Sequence, residues 1–377
     1  MATQSGITID GPNKPYTVVS KIPRPSPGPR QVLVKCLGVG INPVEPLQHH
    51  SGLLIKEWPA IIGSDCAAVV IDVGPDCTKL KAGDYVYGCA PLGQNRFTPF
   101  QDTFLVEERV FFKKSSNLSV EETCTIGVGL LTAGLCLLAG AELKLSEDGS
   151  KAPGKDEWVV VLGGSGSVGQ FAVQVNDIQY STGTGSNTTR LPMFADTRCL
   201  RRAPRPRTRY VHKNVPLESI QQLTGRWIAT ENGATATFNS RGSTEEQVAE
   251  IKKITNGNFA RIIDSTAHGY EVMVKALETC STANTKYLTS FKTPSSINEY
   301  RAELGHLCRL DEALGIEVTS VITDMIPIFE THLAAGTLKP IQYQVTDGMG
   351  WDKVIEGIQD LENGKAAKKI VVRVQKE

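Results

Sequence analysis

The chain is 377 residues long, 40% of them are apolar, and its 40 basic residues balance its 40 acidic ones. This length suits about two domains, each with enough apolar residues to bury a core of its own. The balanced charge gives no field that would draw the chain to nucleic acid or to an anionic membrane surface, and no run of about 18 apolar residues predicts a membrane span. The amino terminus lacks a basic region followed by an apolar one, so we expect a cytoplasmic protein.

The nine cysteines are scattered singly along the chain, without a CxxC pair. An odd number of cysteines and the lack of a secretory signal indicate reduced core thiols rather than disulfides.

Short β-rich runs separated by Gly and Pro make up the chain from residue 16 to about residue 112. Such runs lie at residues 31–35, 67–71 and 85–87. This pattern predicts a small, curved antiparallel β domain. A capping box at residues 119–122 then predicts a helix start, and the apolar segment 126–140 would lead into a second domain.

An apolar β run at residues 158–162 (WVVVL) leads directly into the glycine-rich stretch 163–169 (GGSGSVG) and an apolar helix start. In such a turn Gly164 would permit the tight bend, Gly166 would let the backbone approach a pyrophosphate, and Gly169 would let helix pack on strand. The helix N-terminus offers unpaired N–H groups and a partial positive charge. We therefore predict a dinucleotide site, with an ordinary turn as the alternative, at Gly164, Ser165, Gly166, Ser167, Val168 and Gly169.

Strand and helix patterns alternate after this turn. Strands are predicted at residues 236–238, 260–263 and 286–289, with helices at 245–254 and 270–279 between them. This βαβ alternation predicts a parallel sheet. Two more helices and one closing strand are predicted at residues 326–336, 351–364 and 370–374.

Residues 176–216 interrupt the alternation. They are rich in Ser, Thr, Gly, Pro and Arg, include the basic run 201–209, and show neither a helical nor a strand period, so we expect a solvated, irregular insert. The second strand of the sheet is then predicted at residues 227–229. One hypothesis is that residues 175 to about 216 derive from a retained intron or a misassigned exon, which sequencing of the transcript would test.

Several local motifs resemble those of the medium-chain dehydrogenase/reductase superfamily. They lie at residues 40–44 (GINPV), 59–65 (PAIIGSD), 81–86 (KAGDYV), 131–133 (LTA), 336–340 (GTLKP) and 364–372 (GKAAKKIVV). The chain looks most like the zinc-independent branch, and within it like the trans-acting enoyl reductases of fungal polyketide synthases; quinone oxidoreductases are the nearest competing branch. The resemblance implies an α/β protein with a GroES-like β-rich catalytic domain over residues 1–125. It further implies a doubly wound, parallel-sheet Rossmann nucleotide-binding domain over 126–320 and a return to the GroES-like domain over 321–377.

The residues also bear on metal binding. Zinc-dependent relatives carry Gly-His-Glu where this chain has Gly63, Ser64 and Asp65, so a zinc ligand set is missing there. His49 and His50 are adjacent on a predicted loop, and without a third ligand at suitable spacing we interpret them as surface or pocket-rim residues. We predict no metal.

The resemblance implies the contacts of an NADPH cofactor. The loop after Asn-Pro would line the cofactor cleft with Val44, Glu45, Pro46 and Leu47. Thr132 would lie close to the nicotinamide and is, with Glu45, a catalytic candidate. Further cofactor contacts are expected at Ser240, Tyr287, Leu288, Ala367 and Lys368. The acyl substrate would be bordered by Ala133, Gly134, Leu135, Cys136, Leu137, Leu138, Ala139 and Gly140.

Several of these assignments have alternatives. The Thr132 hydroxyl could bond its own helix backbone, and Glu45 could be a solvated loop acid. Asp264 ends a predicted strand, where it could either contact a ligand or cap the next helix. Leu47 occupies a position where relatives commonly have lysine, so Gln48 or a backbone amide would have to replace that lysine.

Hydride delivery to an alkene conjugated with a carbonyl needs positioning and some stabilisation of the enolate, and no Lewis acid. We therefore expect an NADPH-dependent enoyl reductase acting in fungal secondary metabolism. Its substrate would be an α,β-unsaturated chain on the carrier protein of a polyketide synthase or a polyketide-peptide hybrid synthase. The alternatives are a stand-alone quinone or enone reductase and a non-catalytic paralogue that binds a synthase. The oligomeric state stays open, with a monomer as one option.

Overall fold

A computed structural model describes residues 2–141, 143, 158–181, 193–196, 226–266, 268–290, 301–303 and 312–376. The chain divides into two compact units. The first unit comprises Met1–Leu131 and Leu307–Glu377, and the second comprises Thr132–His306.

Strands dominate the amino-terminal part of the chain, whereas strands and helices alternate in the middle part. The amino-terminal part forms β1 (Thr3–Thr8), β2 (Thr17–Pro23), β3 (Gln31–Gly40), α1 (Val44–Ser51), β4 (Asp65–Val73), β5 (Tyr85–Cys89), β6 (Thr103–Glu107), β7 (Phe112–Lys113), α2 (Val120–Thr123) and α3 (Gly127–Gly134), followed by a π-helix (Leu135–Gly140). The middle part forms β8 (Trp158–Leu162), α4 (Ser167–Ser181), β9 (Met193–Asp196), α5 (226–231), β10 (Ala236–Phe238), α6 (Thr244–Thr255), β11 (Phe259–Asp264), α7 (Tyr270–Thr279), β12 (Tyr287–Ser290) and β13 (Arg301–Glu303). The last part forms α8 (Glu312–Ala334), β14 (Tyr343–Met349), α9 (Trp351–Glu362) and β15 (Lys369–Arg373).

The first unit is built on a mainly antiparallel sheet. Its described strands follow the order β14-β15-β3-β4-β5-β7, and β6 also pairs with β3. β3 is antiparallel to both β4 and β15, whereas β14 and β15 are parallel. The β-rich GroES-like fold predicted from the sequence is confirmed, and the last strand of the chain lies beside β3.

The second unit is a parallel sheet with the strand order β10-β9-β8-β11-β12-β13. In chain order these strands are 3-2-1-4-5-6, which is the doubly wound Rossmann arrangement, so the predicted α/β fold is confirmed. The central strand β8 reads Trp-Val-Val-Val-Leu, and its last four residues are buried, as expected of a parallel strand covered on both faces. The strand order reverses between β8 and β11, and ligands of such sheets bind outside the carboxyl ends of the strands at this point.

The second strand of this sheet does not lie where the sequence predicts it. Residues 227–229, predicted as a strand, belong to the helix α5, and Trp227 is exposed on it. The second strand is instead β9, which pairs with β8 and β10 within the stretch expected to be irregular. A four-residue strand is too short to show a period, and the surrounding composition hides it. Residues 176–181, also predicted as irregular, continue the helix α4 instead. The rest of the predicted insert, residues 182–192 and 197–216, lies outside the described residues.

The segment after Asn-Pro is a helix rather than the predicted loop. α1 begins after Pro43, and Pro46 lies in its first turn, where the missing N–H of proline costs nothing. The helix ends at Gly52, whose φ of 69° gives the left-handed conformation common at helix ends. His49 and His50 therefore lie in the last turn of a helix.

The capping box predicted at residues 119–122 is confirmed. The Ser119 hydroxyl accepts from the backbone N–H of Glu122, and the Glu122 carboxylate accepts from the backbone N–H of Ser119. Among the residues placed by the structure, none of the helices combines the length and the apolar character needed to cross a bilayer.

Candidate functional site

Five polar side chains of the first unit are buried together at the ends of β3, β4 and β15. Gly40 of β3 pairs with Asp65 of β4 on one side and with Val371 of β15 on the other. This register brings Asn42, which follows β3, next to Asp65 and to Lys369 at the start of β15. We call this set the Lys369 network; its members are Asn42, Glu45, Ser64, Asp65 and Lys369, and the side chains of Asp65 and Lys369 are 0% and 4% exposed.

An ion pair forms the centre of the Lys369 network. The Lys369 ammonium lies 2.6 Å from Asp65 Oδ2 and also donates to Asn42 Oδ1. Asn42 Nδ2 donates to Asp65 Oδ2 at 3.0 Å and to Ser64 Oγ at 2.9 Å. Asp65 Oδ1 accepts from the backbone N–H of Val128 in the first turn of α3, at 2.5 Å. The buried carboxylate is thus compensated by an ammonium group and by the positive end of a helix.

Glu45 completes the network from the first turn of α1. Its Oε2 accepts from the backbone N–H of Asn42 at 2.6 Å, and its Oε1 accepts from the Ser64 hydroxyl. Burial raises the pKa of Glu45 to about 7, and the hydrogen bond from Ser64 and the charge of Lys369 oppose that rise. Glu45 is fully buried, so the alternative of a solvated loop acid is wrong. A carboxyl group with a pKa near neutrality can hold or release a proton at physiological pH.

The Lys369 network includes the two residues at which this chain departs from the Gly-His-Glu of zinc-dependent alcohol dehydrogenases. Ser64 and Asp65 stand where such relatives have His and Glu, and their oxygens are engaged with Asn42, Glu45 and Lys369. Zinc sites in proteins are built mainly from Cys and His, and this set offers only oxygens and an ammonium group. The positive charge beside the Asp65 carboxylate is the ammonium group of Lys369.

The other predicted contacts of the first unit lie on or near the same elements. Val44 and Pro46 are partly buried on α1, and Leu47 is 48% exposed there. Gln48, proposed as the replacement for the missing lysine, is buried, and its Nε2 donates to the backbone oxygen of Leu53 at 3.4 Å. Gln48 therefore stabilises the segment after its own helix.

Ala367 and Lys368 are exposed in the loop just before β15, whereas the next residue, Lys369, enters the buried network. Of the Lys369 network only Glu45 was predicted, and sequence reasoning missed Asn42, Ser64, Asp65 and Lys369 as site residues. A signal was available, because three of the family-like motifs, at residues 40–44, 59–65 and 364–372, each contain members of the network.

In the second unit the glycine-rich stretch forms a tight turn between β8 and α4. The residue with the left-handed conformation is Gly163, with φ of 82°, and not Gly164 as expected. The backbone N–H of Gly166 donates to the Gly163 oxygen at 2.9 Å. A Cβ atom on Gly169 would lie 2.1 Å from the same oxygen, so only glycine lets α4 approach the end of β8. The turn thus depends on glycine at 163 and 169.

Two serine hydroxyls in this turn lack partners. Ser165 Oγ and Ser167 Oγ are buried, and no hydrogen-bonding group of the described residues reaches them. An unsatisfied buried hydroxyl costs about 1–3 kcal/mol, so such groups usually face a ligand or water. Beside them the first turn of α4 has free backbone N–H groups, as every helix N-terminus does. These donors fit the pyrophosphate of a dinucleotide, which Ser165, Ser167 and the backbone of Gly166 to Gly169 would hold.

Asp264 ends β11, next to this turn. Its carboxylate accepts from the backbone N–H of Thr266 at 2.8 Å and from that of Gly269 at 3.0 Å, just before α7 begins. These two hydrogen bonds agree with the alternative that Asp264 caps the next helix, α7. Ser240 is buried two residues beyond the end of β10, on the same edge of the sheet as the glycine turn.

Tyr287 and Leu288 are not brought to that edge. Tyr287 begins β12 and pairs with Arg261, which in turn pairs with Val159 near the start of β8. The Arg261 guanidinium lies 4.7 Å from the centre of the Tyr287 ring. Leu288 is fully buried in the apolar core of the second unit.

Thr132 and the predicted substrate segment lie on α3 and the π-helix. Thr132 is 6% exposed, and in the part of the chain that the structure describes its hydroxyl bonds no backbone oxygen of its own helix. The π-helix shows its wider turn in the hydrogen bond from the backbone N–H of Ala141 to the Cys136 oxygen, 2.8 Å. Such turns recur at functional sites. Within the segment, Leu138 and Ala139 are partly exposed, and the others from Ala133 to Gly140 are buried.

Comparison with known proteins places these features in context. The family model of the alcohol dehydrogenase GroES-like domain matches residues 28–111. In sequence the chain is similar to trans-enoyl reductase pyiC of Pyricularia grisea, with 32% identity over 183 residues that cover 46% of this chain and 47% of that protein. It is also 32% identical, over 181 residues, to the lovastatin nonaketide synthase enoyl reductase component lovC of Aspergillus terreus, covering 46% of this chain and 48% of that protein. The chain therefore matches about half the length of these relatives.

Among solved structures, an alcohol dehydrogenase superfamily protein from Novosphingobium aromaticivorans matches with a TM-score of 0.72 and 18% identity. The match covers 99% of this chain and 100% of that one. A likeness at this level of identity shows the fold.

Proposed function

We propose that the chain is an NADPH-dependent enoyl reductase of the medium-chain dehydrogenase/reductase superfamily. Its substrate is the conjugated alkene of an α,β-unsaturated thioester carried by a polyketide synthase or a polyketide-peptide hybrid synthase. The observation that carries the proposal is the pair of unpartnered hydroxyls, Ser165 and Ser167, in the turn after the central strand of the parallel sheet. The names of pyiC and lovC support the choice of an enoyl reductase that works with a synthase.

The cofactor, when bound, supplies the hydride, and the protein supplies binding and orientation. The turn from Gly164 to Gly169 holds the pyrophosphate, and Ser240 lies on the same edge of the sheet. In the second unit we assign Thr132 to the nicotinamide half and the segment Ala133 to Gly140 to the acyl chain. In the first unit we assign Val44 to Leu47 as cofactor contacts. We assign the first unit as the catalytic domain and the second as the nucleotide-binding domain, so the bounds 1–125, 126–320 and 321–377 expected from the sequence move to the unit bounds at Leu131 and Leu307.

Catalysis in this proposal needs no metal. The Lys369 ammonium is the cation of the buried network, and its contacts hold the side chains of Asn42 and Asp65 in position. Glu45 holds a proton near neutral pH and anchors the first turn of α1. The network thereby positions α1 for cofactor binding.

The preference for NADPH rests on the resemblance to the enoyl reductase branch. β9, the second strand, ends at Asp196. In Rossmann sheets an acid near this position hydrogen-bonds the ribose 2′-hydroxyl of NADH and disfavours a 2′-phosphate. NADH is therefore the specific alternative, and calorimetry with both cofactors compares the two.

The first test measures the binding of NADPH and of NADH by calorimetry for the parent chain and for the double variant S165A/S167A. We expect the double variant to bind NADPH about a hundred- to ten-thousandfold more weakly, because two hydrogen bonds to charged phosphate oxygens are lost, each worth about 1.5–3 kcal/mol. Ser26→Ala, on an exposed loop of the first unit, is the matched control and should bind like the parent. Equal NADPH affinities for all three proteins would contradict the proposal that Ser165 and Ser167 bind the cofactor.

The second test separates the candidate reactions. Turnover is compared between an enoyl thioester of pantetheine and a soluble quinone, each with NADPH and with a metal chelator present. The proposal predicts turnover of the thioester that the chelator does not reduce. Turnover of the quinone alone would favour a stand-alone quinone reductase, and cofactor binding without turnover of either, even with a synthase carrier domain added, would favour a non-catalytic partner of a synthase.

A further inference from the structure

Two histidines and a glutamate of the first unit converge on its surface, and none of the three belongs to the Lys369 network. His49 and His50 end α1, and Glu362 ends α9. One ring nitrogen of each histidine and a carboxylate oxygen of Glu362 all lie within 4.8 Å of one another. His49 and Glu362 also line a cleft of about 330 Å³, together with Tyr16. We call His49, His50 and Glu362 the His-His-Glu cluster.

Each imidazole ring makes one hydrogen bond to a residue outside the cluster, and this bond fixes which ring nitrogen keeps a lone pair. His49 Nε2 lies 2.7 Å from the backbone oxygen of Lys14, which can only accept, so Nε2 carries the proton and Nδ1 has a lone pair. His50 Nδ1 lies 2.8 Å from Asn13 Oδ1, and Asn13 Nδ2 donates to the His50 backbone oxygen at 3.1 Å, which fixes the orientation of the amide. His50 Nδ1 therefore carries the proton, and Nε2 has a lone pair when the ring is neutral.

Both lone pairs lack a suitable donor among the described residues. His49 Nδ1 is buried and has no hydrogen-bond partner there. His50 Nε2 lies 2.8 Å from Glu362 Oε1. If the ring is neutral, both of these atoms are hydrogen-bond acceptors, and a cation between them would remove their repulsion. Metal-binding histidines typically donate their second N–H to a carbonyl or carboxylate oxygen, and both rings donate to a carbonyl oxygen here.

A fourth polar group adjoins the cluster. The Tyr16 hydroxyl is buried without a partner in the described part of the chain, and its ring stacks on His49 with ring centres 4.4 Å apart. It could bond a water molecule held by an ion in the cleft. Two imidazole nitrogens and one carboxylate, with room for water, form a ligand set typical of Zn²⁺.

We propose that His49, His50 and Glu362 bind a divalent transition-metal ion, for which Zn²⁺ is the probe. The ion would link the end of α1 to the end of α9. This site is separate from the position of zinc in zinc-dependent relatives, and it does not depend on the proposed reductase activity. Sequence reasoning found no third ligand because Glu362 comes from the other end of the chain, and only the packing of α9 against α1 supplies it.

The test measures zinc bound to the full chain after dialysis against a weak competing chelator, together with the affinity by competition. We expect one equivalent of Zn²⁺ that is lost on H49A/H50A, and an affinity at least about tenfold lower on E362Q. Two controls match these changes and should bind zinc like the parent: His332→Ala, on α8, and Glu356→Gln, on α9, where Glu356 pairs with Lys353.

Cobalt substitution identifies the ligands directly. Co²⁺ bound by nitrogen and oxygen should give visible bands without the thiolate charge-transfer absorption that cysteine ligands produce. Asn13→Gly removes both side-chain hydrogen bonds between Asn13 and His50 and suits the left-handed backbone of this residue, whose φ is 59°. It should weaken binding by a smaller factor and guards against misfolding of the double variant. The proposal is overturned if the parent retains no stoichiometric metal, if E362Q and H49A/H50A bind as tightly as the parent, or if thiolate bands dominate. The first outcome would mean that His50 and Glu362 contact each other directly, without an ion between them.

Discussion

Lys369→Met removes the cation of the buried network and keeps most of the volume of the side chain. Asp65 would remain buried with its charge, held only by Val128 N–H and Asn42. Removing one partner of a buried ion pair typically costs about 3–5 kcal/mol. Because two hydrogen bonds to Asp65 survive, we expect the lower end of that range, a loss of about 3 kcal/mol.

Urea unfolding measures this loss. With a slope of about 3 kcal/mol per molar urea, the midpoint for the first unit should fall by about 1 M. Hydrogen exchange of peptides from β3 and β15 assigns the change to this unit. Lys368→Met, at the exposed neighbouring residue, is the control and should change stability by no more than about 0.5 kcal/mol.

A second variant isolates the charge. In K369M/D65N the buried carboxylate is gone, so we expect the double variant to regain at least half of the lost stability. The reasoning is refuted if K369M unfolds at the same urea concentration as the parent and K368M, since Asp65 would then not need the Lys369 charge.

Three further predictions follow from the same two units. The pKa of Glu45 is raised from 4.5 to about 7. Between these pH values the folded state binds more protons than the unfolded state, so the free energy of unfolding should fall by on the order of 2–3 kcal/mol as the pH rises from 5 to 8. In urea titrations at several pH values, E45Q should abolish this pH dependence. A Cβ atom on Gly40 would lie 2.1 Å from the Cys124 backbone oxygen. G40A should therefore lower the free energy of unfolding by about 3 kcal/mol or more. A melting temperature equal to that of the parent would contradict this close packing. If Asp196 opposes a 2′-phosphate, D196S should increase the affinity for NADPH relative to NADH in calorimetry, and an unchanged ratio would show that this residue does not select the cofactor.

Local signals predicted much of the fold. The glycine turn, the capping box at Ser119 and the strand at residues 236–238 depend on neighbours in the chain, and the structure places each where it is expected. α1 was missed because Pro43 and Pro46 indicate a loop, although proline is tolerated in the first turn of a helix. β9 was missed because four residues carry no readable period, and its assignment depends on pairing with β8 and β10.

The candidate site was less accessible to sequence reasoning. Lys369 meets Asp65 only because β15 and β4 both pair with β3, and a single sequence does not show which strands pair. The neighbouring Lys368, expected from the resemblance as a cofactor contact, is exposed. Gly163 rather than Gly164 takes the left-handed conformation, a distinction of one residue that depends on where β8 ends.

We propose above that this chain reduces a carrier-bound enoyl thioester. The most direct test is the intact mass of an acyl carrier protein loaded with a short enoyl chain, before and after incubation with this protein and NADPH. The account predicts a gain in mass of two hydrogens, which S165A/S167A slows at low NADPH concentration. An unchanged carrier mass in the presence of bound cofactor would contradict it.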